Sequence, residues 1–280
     1  MCKDLYSQIL SHADPSQVEG LARFFKTGPG QYGEGDKFLG IKVPVTRSGV
    51  KDCWRTTDLP ELEKCVTSEF HEVRLAALLT LVEIFKNAGK SKSKNTTGIS
   101  KDDCVKFYLS HTEYINNWDL VDLSCYPLIG EWLLDKDRTL LYDLARDGKT
   151  IWEQRIGIVS TMTFIRQGQL EDTFAIADIL FYHPHDLIHK AVGWLLREAG
   201  KKDKHALEAY LLGHAPVPNV GKSGRVSSSS SSSSSISKEP LANTPELQPL
   251  RYQTMPRTML RYAIEKFPEA ERRAYLSGKV

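Results

Sequence analysis

The sequence predicts an all-α fold assembled from short helices that stack as repeats. Apolar residues recur at helical spacing, as in Val18, Leu21, Ala22 and Phe25, and again in Val73, Ala76, Ala77, Leu81 and Ile84. Strand-like alternation of apolar and polar residues is nearly absent. A third observation is a recurring unit. Arg74-Leu75-Ala76-Ala77-Leu78, Arg155-Ile156-Gly157-Ile158-Val159 and Lys190-Ala191-Val192-Gly193-Trp194 each set a basic residue before a small and apolar run. Arg155 and Lys190 lie 35 residues apart, and Arg74 lies 81 before Arg155, close to two such periods.

That period fits helical hairpins of the HEAT type, in which each unit buries its apolar face only against its neighbours. The expected architecture is a curved solenoid of HEAT-like antiparallel helix pairs forming a single domain over 1–280. Inner helices of such an array line a concave surface, and the helices with basic starts are placed there. In chain order the periodicity predicts helices over about 4–12, 15–27, 58–66, 69–88, 101–111, 117–134, 136–146, 150–167, 170–181, 185–199, 203–213 and 255–267. Short Gly, Pro or Asp punctuation separates them. The pattern collapses over 216–249, where Pro216, Pro218, Gly221 and Gly224 lead into unbroken serine from Ser227 to Ser235, then Pro240 and Pro245. Such a stretch buries too little apolar area to offset its ordering entropy and reads as a disordered insertion within the domain. Lys90-Ser91-Lys92-Ser93-Lys94 reads as a solvated loop.

Composition narrows the class. At 280 residues, 41% hydrophobic and 26% charged, with mean hydropathy -0.35, the chain has material for a sizeable core. The most apolar run, Leu75 to Phe85, is half the length that spans a bilayer and contains Thr80 and Glu83, so no membrane helix is expected. Met1-Cys2-Lys3-Asp4 opens no secretory signal, and five scattered cysteines (Cys2, Cys53, Cys65, Cys104, Cys125) suit a reducing compartment. The expected location is intracellular: the nucleus, the cytoplasm or both if the source is eukaryotic, which the serine run favours. A net charge of +2 means that any affinity for nucleic acid must come from charge gathered on one face.

Several motifs imitate chemistry. Gly28-Pro29-Gly30-Gln31-Tyr32-Gly33 fits the dinucleotide G-x-G-x-x-G pattern, but the residues before it read as helix rather than strand, so it is expected to be a tight interhelical turn. Gly221-Lys222-Ser223 has Pro216 where a phosphate loop needs glycine. His185 and His189 are one turn apart with Asp186 between them, yet Pro184 announces a helix start, and both are expected to be exposed residues of the cap region. No metal or cofactor is expected.

A more pointed constellation begins at Asn117-Trp118-Asp119-Leu120-Val121-Asp122. At a helix start this spacing puts Trp118 and Asp122 on one face, a turn apart. Asp119, in the first turn, reads best as a capping residue. Asp122 is open between a functional carboxylate and an ion pair with an arginine of the neighbouring repeat. Further on, Lys190, Trp194, Arg197 and Lys201 recur at spacings of four, three and four, a basic stripe with an indole inside it. Such a stripe suits a phosphate backbone, with the aromatic lying against sugar or base. The competing reading is a solvated helix face with Trp194 in the core. Arg155 takes the equivalent place one unit earlier, and Arg257 with Arg261 repeats the four-residue spacing after the insertion.

These residues carry a family resemblance. Phe38-Leu39-Gly40-Ile41-Lys42-Val43-Pro44 with Arg47, Trp118 to Asp122, Trp152 with Arg155, Lys190 to Glu198 and the ending Met255 to Ile264 together resemble the DNA alkylation repair family typified by AlkD, HEAT-like DNA glycosylases acting on alkylated purines. The glycine-rich Gly28 to Gly35 loop and the serine insertion depart from the pattern. The resemblance implies that Trp118 and Trp194 flank the lesion's deoxyribose and that Asp122 is the catalytic carboxylate. It places Arg155 and Arg197 on the DNA backbone and Tyr32 near the duplex; Lys190, Lys201, Arg257 and Arg261, from the basic spacing, and Arg47 are the further expected DNA contacts. The implied partner is double-stranded DNA carrying 3-methyladenine or 7-methylguanine, engaged by a monomer. The alternative is a HEAT-repeat module that binds DNA or a protein partner without chemistry, since fold alone does not fix activity.

Overall fold

The structure, a computed structural model, describes residues 4–90, 97–213 and 250–280. The expected insertion at 216–249 lies outside the described residues, as does most of the Lys90 to Lys94 patch. Helices occupy Leu5–Leu10 (α1), Pro15–Phe24 (α2), Val43–Cys53 (α3), Leu59–Val66 (α4), His71–Asn87 (α5), Lys101–Ser110 (α6), Trp118–Asp122 (α7) and Thr139–Asp147 (α8). They continue through Ile151–Val159 (α9), Met162–Arg166 (α10), Glu171–Ile179 (α11), Asp186–Lys202 (α12), Lys204–Leu212 (α13), Arg251–Thr254 (α14), Arg257–Ala263 (α15) and Glu269–Ser277 (α16). The described fold is all-α. One isolated bridge, Lys37 with Phe70, is the β-type pairing seen among the described residues.

Helix starts follow local chemistry. Asp4, Asp14, Asp58, Ser100, Thr150 and Asp203 each accept an N–H of the first turn, and Ser100 with Asp103 closes a reciprocal capping box. Two helices lack an obvious sequence signature. Val43 to Cys53 is rich in β-branched residues and holds Gly49, a poor intrinsic helix former, yet α3 is stabilised by packing on α1 and α5. Gly49 has Ile9 so close that an added Cβ would stand 3.1 Å from it. In α16 only Tyr275 is buried, so the helix has no apolar stripe to read; Arg273 pairs with Glu269 at 2.9 Å and Lys204 with Glu271 at 2.7 Å.

The predicted helix over 117–134 is broken instead. α7 stops at Asp122, where the Ser124 hydroxyl bonds back to Leu120 and Val121, and a π-helical turn follows over Tyr126–Gly130 around Pro127. The span 150–167 likewise divides at Ser160 and Thr161, where the Thr161 hydroxyl donates to the Ile158 carbonyl at 2.7 Å.

One row of helices, the inner row of the expected array, runs α5, α7, α9, α12, α15, each packed on the next, while α4, α8 and α13 pack on α5, α9 and α12. The small residues of the repeated unit explain themselves at these crossings. An added Cβ on Gly157 would sit 2.8 Å from the Leu141 carbonyl oxygen of α8, and on Gly193 it would sit 2.5 Å from the Met259 oxygen of α15. Glycine lets these backbones touch. The four cysteines among the described residues, Cys53, Cys65, Cys104 and Cys125, are buried. No described helix is long and apolar enough to cross a membrane.

Gly193→Ala is expected to destabilise the protein by about 1–3 kcal/mol through overpacking at the α12–α15 crossing. Gly20→Ala, in α2 with nothing within 4 Å of the added Cβ, should instead gain roughly 0.5–1 kcal/mol. Urea unfolding of the two variants beside the wild type checks both signs.

Candidate active site

The first turn of α5 organises the polar interior. Its Glu72 carboxylate accepts the backbone N–H groups of Leu39, Gly40 and Ile41 at 2.9, 2.9 and 3.0 Å, fixing the segment that leads to α3. Arg74 pairs with Asp36 at 2.5 Å, and the Asn117 side chain donates to the same carboxylate at 3.3 Å. Asp119 is not a simple cap. Asn117 occupies the cap position, while Asp119 accepts from the Leu120 amide at 2.9 Å and meets the His71 ring at 2.9 Å. The Gly28 to Gly35 stretch is the turn expected of it: Gly33 N–H donates to the Lys26 carbonyl at 3.1 Å.

A cleft of about 540 Å³ opens where α7, α9, α12 and α15 meet the end of α2 and the turn that follows it. It is lined by Trp118 and Asp122 from α7, Arg155 from α9, Lys190, Trp194 and Arg197 from α12, Tyr262 from α15, and Phe24 with Tyr32. Both indoles are half-buried, so each keeps surface exposed to the cleft. Behind Trp118, Phe25 stacks at 5.4 Å and 23°, and Phe24 meets it edge-on at 5.8 Å. Tyr32 is propped edge-on against Trp152 at 6.2 Å.

Asp122 and Arg155 form a bidentate pair: Nε donates to Oδ1 at 2.8 Å and Nη2 to Oδ2 at 2.7 Å. The third guanidinium nitrogen, Nη1, donates to the Leu187 carbonyl at 2.6 Å. Arg155, expected at the DNA backbone, has its side chain 6% exposed and one N–H of each guanidinium nitrogen bonded within the protein. In this structure it holds the carboxylate. Burial pushes the Asp122 carboxyl above its ordinary value, Arg155 pulls it back, and the neighbouring Asp119 charge adds a smaller upward push.

The basic stripe is largely compensated. Lys190 pairs with Asp186 at 2.8 Å, Lys201 with Glu198 at 2.7 Å, and Arg197 with both Glu198 and Glu265. Arg257 donates to the Leu276 carbonyl at 2.9 Å, outside the cleft. Arg47 and Arg261 are exposed and lack an ion-pair partner among the described residues; neither lines the cleft. The structure thus gathers Tyr32, Trp118, Asp122, Arg155, Lys190, Trp194 and Arg197, and leaves Arg47, Lys201, Arg257 and Arg261 outside.

Two aromatics of the cleft escape sequence reasoning. Phe24, 60% exposed, ends α2 beside its buried neighbour Phe25, and the doublet hides which ring faces out. Tyr262, 37% exposed, follows Arg261 on the last inner helix. The histidines after Pro184 are half-buried rather than exposed: His185 caps α12 by accepting the Leu187 N–H at 3.1 Å, and His189 bonds the His183 carbonyl. Among the described residues no group of three or more His, Cys, Asp or Glu side chains could hold a metal ion.

The comparisons with known proteins converge. A predicted DNA alkylation repair enzyme from Enterococcus faecalis shares the fold with a TM-score of 0.53 at 14% identity, over 76% of this chain and 98% of that one. No curated protein matches the sequence. The sequence profile described as DNA alkylation repair enzyme matches residues 5–267, so the chain belongs to the DNA alkylation repair enzyme family.

Proposed function

We propose that this protein is a DNA glycosylase that hydrolyses the N-glycosidic bond of positively charged alkylated purines, 3-methyladenine and 7-methylguanine, in duplex DNA. The observation that carries the reading is the convergence of one carboxylate, Asp122, and two indoles, Trp118 and Trp194, from separate helices on one cleft.

Alkylation at N3 or N7 leaves the purine cationic. When the C1′–N bond breaks, its electron pair returns to the base, which departs neutral, so no general acid is needed. The sugar is left as an oxocarbenium-like cation, as in sugar hydrolysis generally. Asp122 stabilises that cation electrostatically and accepts the proton of the water that attacks C1′, while the indole faces add cation–π attraction where the charge develops. Arg155 positions Asp122 and keeps it ionised. The compensated stripe suits a backbone that is engaged by exchanging weak surface ion pairs for phosphate contacts. With Lys190 and Arg197 at the rim, the lesion is held from its backbone side and the base is not enclosed; selectivity follows from the lability of cationic lesions. We read the helix succession as a HEAT-like array acting as a monomer without cofactor, in the nucleus or cytoplasm. A second reading, a DNA-binding module without chemistry, draws on the closed Asp122–Arg155 pair, which a purely structural ion pair would share.

The purified protein is expected to release free 7-methylguanine and 3-methyladenine from methylated duplex DNA, with negligible release of uracil. Asp122→Asn should lower the single-turnover rate by about 10²–10³ with Kd for duplex changed less than about three-fold. Absence of release by the wild type, with DNA still bound, would give the module reading instead.

Because Asp122 acts ionised and burial raises its pKa, the rate should fall on the acid side at a pH above the ordinary aspartate value of about 3.9. A single-turnover pH profile from about pH 4 to about pH 8 reads that limb.

A further inference from the structure

Behind Trp118 lies a buried charge cluster that base release as proposed leaves unused. His71, the first residue of α5, is 1% exposed. Its Nδ1 faces Asp36 Oδ2 at 3.0 Å and its Nε2 faces Asp119 Oδ2 at 2.9 Å. A neutral imidazole has one N–H and one lone pair, so it would aim that lone pair at a carboxylate; the protonated ring donates to both. With Arg74 on Asp36, two cations balance two anions in the interior. The other charged groups nearby are directed elsewhere: Glu72 to the amides of 39–41, Lys37 to Glu69 at the surface, and Asp122, which shares a cavity lining with His71, Asp119 and the exposed Lys42, to Arg155.

Aromatic rings connect this cluster to the cleft. Phe38 stacks on the His71 ring at 4.7 Å and on Phe25 at 5.1 Å. Phe25 lies 4.8 Å from His71 and stacks on Trp118 at 5.4 Å. An imidazolium against two phenyl rings adds cation–π attraction to the pile. Asp119, the residue after Trp118, is anchored by the same histidine.

We propose that His71 is a positioning residue for Trp118, holding the indole toward the cleft as a cation clamped between Asp36 and Asp119 and acting through Asp119 and Phe25. Its consequence for catalysis rests on the glycosylase reading; its consequence for the indole does not. Burial works against the charged ring, but the bonds to Asp119 and Asp36 outweigh it and push the imidazole up to about 9. A raised histidine pKa gives stabilisation that is full below the unfolded value of about 6.5 and is lost as pH rises through the folded value. The indole is therefore held at neutral pH and released in alkali.

The test uses the full chain, with Trp118→Phe as the reference that isolates the Trp118 signal. Between about pH 7.5 and about pH 9.5, acrylamide quenching of Trp118 in the wild type should rise roughly two-fold at constant far-ultraviolet dichroism. In His71→Gln it should be high already at the lower pH and flat. On methylated duplex, the wild-type single-turnover rate should fall as pH rises through about 9, and this variant should lose roughly 10-fold or more at neutral pH, without that alkaline fall and with Kd changed less than about three-fold. Asp119→Asn, which keeps Arg74 on Asp36, moves the alkaline transition to lower pH and serves if His71→Gln fails to fold. Wild-type quenching and pH response in either folded variant would overturn the assignment. Quenching that follows His71 in a protein that releases no base would support it and refute the glycosylase reading alone.

Discussion

The first turn of α5 carries the constraint on which the site depends. Its three polar side chains tie separate segments together: His71 reaches Asp119 of α7 and Asp36, Glu72 the amides of 39–41, and Arg74 the same Asp36 and the carbonyls of Ser68 and Glu69. A helix that short on N-terminal partners from its own cap, since Phe70 offers no side-chain acceptor, is integrated by its charged first turn instead. Removing one member would leave another charge buried without its partner, a far larger cost than the loss of an exposed ion pair. The N-terminal segments and α7 are consequently held as one body, and the back of the cleft inherits that rigidity.

The front of the cleft is built differently. Asp122 ends a helix of only five residues, and its direction is set by the two-point grip of Arg155 from the next inner helix. Arg155 is in turn fixed by the Leu187 carbonyl at the start of α12. Three successive inner helices thus register on one carboxylate. The cations around it are offset by nearby acids, which keeps the cleft from being a strong unspecific attractor for polyanions and leaves Arg47 and Arg261 as exposed positive charges at a distance.

Much of this was legible in sequence. The helical period, the small residues after each basic start and the Trp118–Asp122 spacing are local properties, and they survive in the structure because one helix turn puts residues four apart on one face whatever surrounds them. Where local propensity was weak or masked, the reading ran out. β-branched residues and Gly49 hid α3, a helix with a single buried side chain and no apolar stripe hid α16, and hydroxyl groups with Pro127 broke a helix whose apolar period runs on.

The sequence by itself determined the all-α class, the family and seven of the residues gathered at the cleft, since these follow from short-range patterns and motif order. Only the tertiary structure decided which partner each charge takes. Arg155 takes Asp122, Asp119 meets His71 as well as the Leu120 amide, and the cations of α12 acquire acids from α12 itself and from beyond α15. The physical reason is range: hydrogen-bond partners 33 residues apart, like Asp122 and Arg155, or 48 apart, like His71 and Asp119, are chosen by how helices pack, and no local periodicity encodes that choice.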